Sequence, residues 1–303
     1  MIKLNDLKIS YRIGNRVIEA VNGVTLTIPD GSIVGIAGES GCGKSTLMKA
    51  IYGDIRSPMS LSGGSIEYGM TGSDGRPVTT ETIRREWFKS ISYIPQSSMN
   101  SLNPVIRIRD QFTDFPGTDS NKKRVLERAR DYIGKLGLPP EAMDSYPHQL
   151  SGGMRQRVMI ALATFFQPEL IIADEPTTAL DVVVQKEILL LLMEVQELMG
   201  NTILVVSHDM GVHYQVTHKM LIMYAGRVVE YGDTESVFAD PQHAYTRMLI
   251  DSLPSIGDDS MRGVLASLAG AGGDRAYRVE PELIEVKPGH FMARPSASVG
   301  AAA

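Results

Sequence analysis

The chain sorts itself by the period of its apolar positions. Near the amino end they alternate with polar ones between turn signals: Ile2-Lys3-Leu4, Leu7-Lys8-Ile9-Ser10-Tyr11, and Val24-Thr25-Leu26-Thr27-Ile28 before Pro29-Asp30-Gly31. A period of two predicts half-buried strands, here an antiparallel sheet at the front of the domain. Three later runs lose the alternation: Ile33-Val34-Gly35-Ile36-Ala37, Leu170-Ile171-Ile172-Ala173 and Thr202-Ile203-Leu204-Val205-Val206. Strands buried on both faces, as in a parallel sheet, read this way. Ser45 to Ile51 is expected to be a helix, and Asn121 to Leu136 turns charged and helical, as an inserted helical subdomain would. Past Pro254 the composition shifts. Residues 265–273 are Ala/Gly-rich and read as a linker. Glu282 to Val286 and Phe291-Met292 flank Lys287-Pro288-Gly289-His290 as a hairpin would, and 296–303 reads as a disordered end. No internal repeat is visible.

The second and third buried runs end on polar residues, and ligands of open α/β sheets bind at the carboxyl ends of their strands. The first delivers the chain into Gly38-Glu39-Ser40-Gly41-Cys42-Gly43-Lys44-Ser45-Thr46. This is the complete G-x-x-x-x-G-K-[ST] loop, whose backbone N–H groups cradle phosphates, with Lys44 directed to the β/γ-phosphates and Ser45 to Mg²⁺. Its glycines permit close phosphate approach, and the helix that follows offers its positive end. The second run ends at Asp174-Glu175, buried acids that are costly unless paired or bound to a metal. The third ends at Ser207-His208. Cys42 lies beside a lysine and a helix amino terminus, surroundings expected to lower its thiol pKa. His213, His218 and His243 read as surface or core histidines.

Composition narrows the setting. The 303 residues suffice for one large α/β domain plus an insertion or tail, with ordinary globular usage at 43% hydrophobic and 21% charged. A net charge of −5 argues against broad nucleic-acid binding. No run approaches the ~20 apolar residues that span a bilayer, and Met1 to Asp6 lacks the order of a signal peptide. The expectation is a cytosolic chain, or one held to a membrane by other proteins. With one cysteine, Cys42, an internal disulfide and an all-cysteine metal site are excluded.

Leu150-Ser151-Gly152-Gly153-Met154-Arg155-Gln156 decides among nucleotide machines. Ser151 reads as the cap of a helix whose first turn carries two glycines, leaving an accessible anion site. L-S-G-G-x-R/Q-Q resembles the signature of ATP-binding cassette (ABC) ATPases, as does the string Asp174-Glu175-Pro176-Thr177-Thr178-Ala179-Leu180-Asp181. The resemblance implies an α/β phosphate-loop cassette: a RecA-like core, an antiparallel β subdomain and an inserted α-helical subdomain, plus a small carboxyl-terminal extension. Its divisions would be residues 1–253 for the cassette, with the helical part near 97–165, and 254–303 for the extension. It implies roles too. Asp174 would hold the Mg²⁺ shell with Ser45; Glu175 would polarise the attacking water; His208 would contact the γ-phosphate; Gln96 would sense Mg²⁺ and water. Asp181 would match the D-loop aspartate, and Tyr11 would stack on adenine. Ser151, Gly152 and Gly153 would meet ATP held by an opposite subunit.

Tyr146 to Val158, Ser101-Leu102-Asn103-Pro104, His243-Ala244-Tyr245-Thr246-Arg247 and Glu285 to His290 resemble the dipeptide/oligopeptide importer branch in particular. That implies ATP and Mg²⁺, two polytopic membrane permease subunits, a second related ATPase or a second copy of this chain, and an extracytoplasmic solute-binding protein. It implies a place at the cytoplasmic face of the membrane. Members often carry a tail cysteine cluster that can hold an iron–sulfur centre; this tail has no cysteine, so none is expected. Oligosaccharide and nickel importers share the branch and stay open as alternatives. So, further off, does a soluble ABC ATPase acting on nucleic acid or ribosomes, or a regulatory cassette that binds ATP without cycling.

Overall fold

The computed structural model describes residues 1–96, 101–114, 121–178, 180–253 and 279–295. The expected linker at 265–273, the chain end at 296–303, Ala179, and Ser98, the start of the stretch to Val105 expected with Gln96 to pass motion to a membrane partner, lie outside the described residues.

The alternating front of the chain forms β1 (Ile2–Ile13) and β2 (Arg16–Ile28), which pair antiparallel. A strand that the periodicity did not reveal, β4 (Met59–Tyr68), pairs on the other side of β1 and completes a three-stranded sheet. Between them run β3 (Ile33–Ala37) and helix α1 (Lys44–Ile51).

The three continuous apolar runs become β3, β6 (Leu170–Asp174) and β7 (Thr202–Val206), each buried along its length. With β5 (Ile91–Ile94) and β8 (Lys219–Tyr224) they make a parallel sheet in the order β8-β3-β7-β6-β5. Successive residues serve opposite faces. Ile172, Leu204, Val34 and Ile36 pack toward the antiparallel sheet and α1, whereas Ile171, Ala173, Ile203 and Val205 pack toward the helices. Two cores explain the lost alternation: neither face of this sheet meets water.

The helical face contains α2 (Ile108–Thr113), α3 (Lys122–Lys135), α4 (Gly152–Thr164) and α5 (Val182–Met199). Asn121 caps α3, its side chain accepting from the N–H of Arg124. Helix α6 (Met210–Val216) follows β7. Beyond β8 come β9 (Arg227–Asp233), α7 (Thr234–Ala239) and α8 (Ala244–Asp251). The expected hairpin is β10 (Val279–Lys287) and β11 (His290–Pro295), and it extends the main sheet. Phe291 and Met292 of β11 pair with Tyr231 and Glu230 of β9, so the sheet has eight strands.

Candidate nucleotide-binding site

The phosphate loop leaves the carboxyl end of β3 inside the parallel sheet, flanked by β7 and β8. Its glycines are required by geometry. Gly38 and Gly43 have φ of 145° and 108°; a Cβ would lie 2.2 Å from the Met223 carbonyl oxygen at the first and 2.3 Å from that of Ala20 at the second. Gly43 caps α1, whose first turn carries no acidic side chain, so its amino end stays positive. Lys44 is buried at 7% exposure, and its Nζ donates to the carbonyls of Gly38 at 2.6 Å and Glu39 at 2.8 Å. Neither partner is an anion.

Neighbouring parallel strands bring the remaining groups alongside. Asp174, 5% exposed at the end of β6, accepts from Ser45 Oγ at 3.4 Å and Tyr93 Oη at 2.8 Å. Glu175, with φ of 48°, accepts from Gln96 Nε2 at 2.7 Å and Thr178 Oγ1 at 2.9 Å, both on Oε2, while Oε1 lies 3.7 Å from His208 Nδ1. A left-handed backbone at a non-glycine residue stores strain of about 1–3 kcal/mol, typical of functional positions. Ser40, Gly41, Gly43, Lys44, Ser45, Thr46, Gln96, Glu175 and His208, with Ala20, line one cavity of about 400 Å³.

Ser151, Gly152, Gly153, Asp181 and Tyr11, all expected site residues, do not line this cavity. Ser151 caps α4, accepting from the N–H of Met154, and Asp181 caps α5, accepting from that of Val184 at 3.0 Å. The two helix starts touch: a Cβ on Gly153 would come 2.9 Å from Val184. Tyr11 is half-buried on β1 and its hydroxyl is 3.2 Å from Thr46 Oγ1.

One expectation is corrected. The Cys42 thiol pKa is raised, because burial outweighs the opposing influence of Lys44, whose Nζ is 3.8 Å from Sγ. Sequence reasoning also missed two tyrosines. Tyr93 reaches Asp174 because β5 pairs in parallel with β6, and burial first, then that carboxylate, raises its phenol pKa. Tyr245 of α8 accepts a hydrogen bond from the Glu39 N–H at 2.8 Å. In the sequence, Tyr245 stands out only as part of the His243-Ala244-Tyr245-Thr246-Arg247 string.

The donor set fits a nucleotide with its metal. A buried ammonium among neutral acceptors lacks only a polyanion, and the recorded partners of Asp174 are the neutral hydroxyls of Ser45 and Tyr93. Mg²⁺ is commonly held by one or two carboxylates together with substrate phosphates, keeping several waters.

The chain matches known proteins along most of its length. Residues 21–178 match the family model for the ABC transporter, and residues 229–275 that for the oligopeptide/dipeptide transporter, C-terminal region. The dipeptide transport ATP-binding protein DppD of Escherichia coli is 39% identical over 276 residues, covering 89% of this chain and 83% of that protein. The oligopeptide transport ATP-binding protein AmiE of Streptococcus pneumoniae is 37% identical over 278 residues, covering 89% and 76%. The dimeric post-hydrolysis structure of the ATP-binding cassette MJ0796 bound to ADP and Pi superposes with a TM-score of 0.64 at 27% identity, covering 77% of this chain and 99% of that one. The cassette cbiO1 of Clostridium perfringens, part of the complex cbiONQ, gives 0.66 at 26% identity over 79% and 90%. The chain belongs to the ABC transporter family, as an ATP-binding and ATP-hydrolysing cassette with a carboxyl-terminal part of the oligopeptide/dipeptide transporter type.

Proposed function

We propose that this cassette powers uptake of peptides, with the residues lining the 400 Å³ cavity binding and hydrolysing ATP. The observation that carries the catalytic part is the junction of Lys44, Asp174, Glu175, Gln96 and His208, contributed by separate elements, at one edge of the sheet. Lys44 and the loop N–H groups bind the β/γ-phosphates, Tyr11 carries the adenine, and Ser45, Asp174 and Gln96 hold Mg²⁺. Bound there, Mg²⁺ would offset charge on the phosphate oxygens. Glu175 accepts a proton from the attacking water, and His208 orients toward the γ-phosphate.

Ser151, Gly152 and Gly153 with Asp181 serve a second site, on ATP held by an opposing cassette; a related ATPase is the first choice and a second copy of this chain the other. Two membrane permease subunits complete the assembly, with a solute-binding protein upstream, and the cassette sits at the cytoplasmic face. A groove of about 440 Å³ beside the Gln96 loop, lined by Tyr52, Tyr93, Pro95, Leu102 and Met159, offers an apolar seat for a permease helix. Among the described residues no helix is long and apolar enough to cross a membrane.

Peptide is the cargo of choice because both cited relatives are named for it and residues 229–275 match the corresponding C-terminal model. Affinity purification from detergent extract, followed by ATP-dependent uptake into proteoliposomes, tests the reading. Two polytopic proteins copurifying and labelled di- or oligopeptide accumulating are the expected result. Ribosomes or DNA in their place would end the transport reading, and uptake of oligosaccharide or nickel alone would replace the cargo.

A further inference from the structure

The loop that binds phosphate begins with a peptide unit that is held from outside the loop. The carbonyl of Gly38 accepts from Lys44 Nζ at 2.6 Å. The N–H of that same peptide plane, belonging to Glu39, donates to Tyr245 Oη at 2.8 Å. The unit between Gly38 and Glu39 is therefore clamped at both ends, by the phosphate lysine on one side and by Tyr245 on the other. A glycine with φ of 145° leaves that plane easy to rotate, since no Cβ resists the turn. Rotation would carry the Gly38 carbonyl away from Lys44.

Tyr245 is itself firmly placed. It is fully buried, its ring centroid is 4.6 Å from that of Tyr224, and its N–H donates to His243 Nδ1 at 3.1 Å. The turn before it is tied to the sheet: the N–H groups of Gln242 and His243 donate to the two carboxylate oxygens of Glu230, at 2.8 and 2.9 Å. Glu230, fully buried on β9, also meets His290 Nε2 of β11 at 2.7 Å. An unbroken set of contacts thus runs from the carboxyl-terminal hairpin to the first peptide of the phosphate loop.

We propose that Tyr245 is a positioning residue of the nucleotide site: its hydroxyl holds the Gly38–Glu39 peptide so that Lys44 stands ready for the β/γ-phosphates. The proposal rests on the assignment of Lys44 to those phosphates. Without the hydroxyl, the Glu39 N–H has no partner in place and the peptide turns toward water, so nucleotide must first restore the loop. Once bound, the phosphate oxygens themselves restrain Lys44, so the chemical step changes little.

The test is Tyr245→Phe in the full-length chain, which keeps the ring and its burial. ATP and ADP should bind about tenfold more weakly, as expected for one lost hydrogen bond in a site that must be pre-ordered. The turnover number at saturating ATP should stay within about threefold, and the Glu39 amide should exchange with solvent at least about tenfold faster. Affinity within twofold of the parent, alongside a lowered melting temperature or active fraction, would mark Tyr245 as packing only and overturn the proposal. Hydrogen exchange of the unaltered protein gives a check that needs no variant: a Glu39 amide exchanging as fast as an open loop amide also overturns it. Lys44→Ala separates the two layers. If that change leaves ATP affinity intact, the nucleotide-site assignment fails; if it abolishes binding while Tyr245→Phe does nothing, the clamp alone fails.

Discussion

Acidification should loosen this protein through His213, a buried histidine behind the proposed nucleotide site. His213 on α6 is fully buried, and its Nε2 faces the carbonyl of Ser207, one residue before His208, at 3.1 Å. Nδ1 has no hydrogen-bond partner among the described residues; it lies against β3, where a Cβ on Gly35 would come within 2.5 Å of it. A proton there would place a buried charge with no acceptor. Burial accordingly pushes the His213 pKa down from 6.5 to about 4, against a smaller opposing pull from the Ser207 carbonyl and the Asp209 carboxylate.

The direction of the effect follows from proton counting. Between pH 6.5 and 4 the unfolded chain binds a proton at this position and the folded chain does not, so stability falls as pH falls through that window. A group moving from 6.5 to about 4 costs about 3 kcal/mol between pH 7 and pH 4, of which about 2 kcal/mol is lost by pH 5. Urea unfolding at a series of pH values measures it. The sole tryptophan, Trp87, stacked 4.7 Å from Tyr52, reports the transition. His213→Gln keeps a donor for the Ser207 carbonyl but does not titrate, so shared carboxylate effects cancel in the comparison. The parent should lose about 3 kcal/mol more than the variant between pH 7 and pH 4. Parallel pH profiles would show that His213 accepts its proton in the folded state, and the argument from burial would fail.

Three further outcomes follow from the proposed site. Glu175→Gln can keep the bonds from Gln96 and Thr178 through its amide oxygen, so ATP binding should persist while phosphate release slows about 10²–10⁴-fold; near-normal turnover would remove Glu175 as the base. Cys42, buried and with a raised thiol pKa, should alkylate slowly at neutral pH, faster at alkaline pH, and more slowly again under Mg-ATP; equal labelling with and without nucleotide counts against the loop assignment. In the assembled complex, Lys44→Ala should abolish photolabelling of this chain by an ATP analogue, whereas Ser151→Arg should spare it and block closure over the partner's nucleotide. Loss of this chain's labelling in Ser151→Arg, with the partner's spared, would refute the shared-site arrangement.

The sequence carried the parts of the site that one stretch of backbone builds alone. The phosphate loop needs glycines where a Cβ would strike the carbonyls of Ala20 and Met223, and that demand is written in residue type. The same holds for the strands: the alternation lost at Val34, Ile172 and Leu204 records two buried faces. What stayed hidden depends on which strand lies beside which. β4 escapes the periodicity because Gly63-Gly64-Ser65 breaks its alternation, and pairing with β1 decides its state.

The hidden polar contacts have the same origin. Tyr93 occupies a strand position where a tyrosine ordinarily packs, and only the parallel register of β5 on β6 carries its hydroxyl to Asp174. Cys42 was misjudged because its neighbours in sequence, a lysine and a helix start, favour thiolate, whereas its burial depends on the fold around it and weighs more. Tyr245 is further removed, since its position rests on β9, the Glu230 carboxylate and a hairpin strand whose His290 lies 60 places beyond Glu230. A motif names the atoms that touch substrate because their spacing is local. The atoms that hold the motif still are chosen by sheet order, and here sheet order brings the carboxyl-terminal hairpin into the support of the phosphate loop.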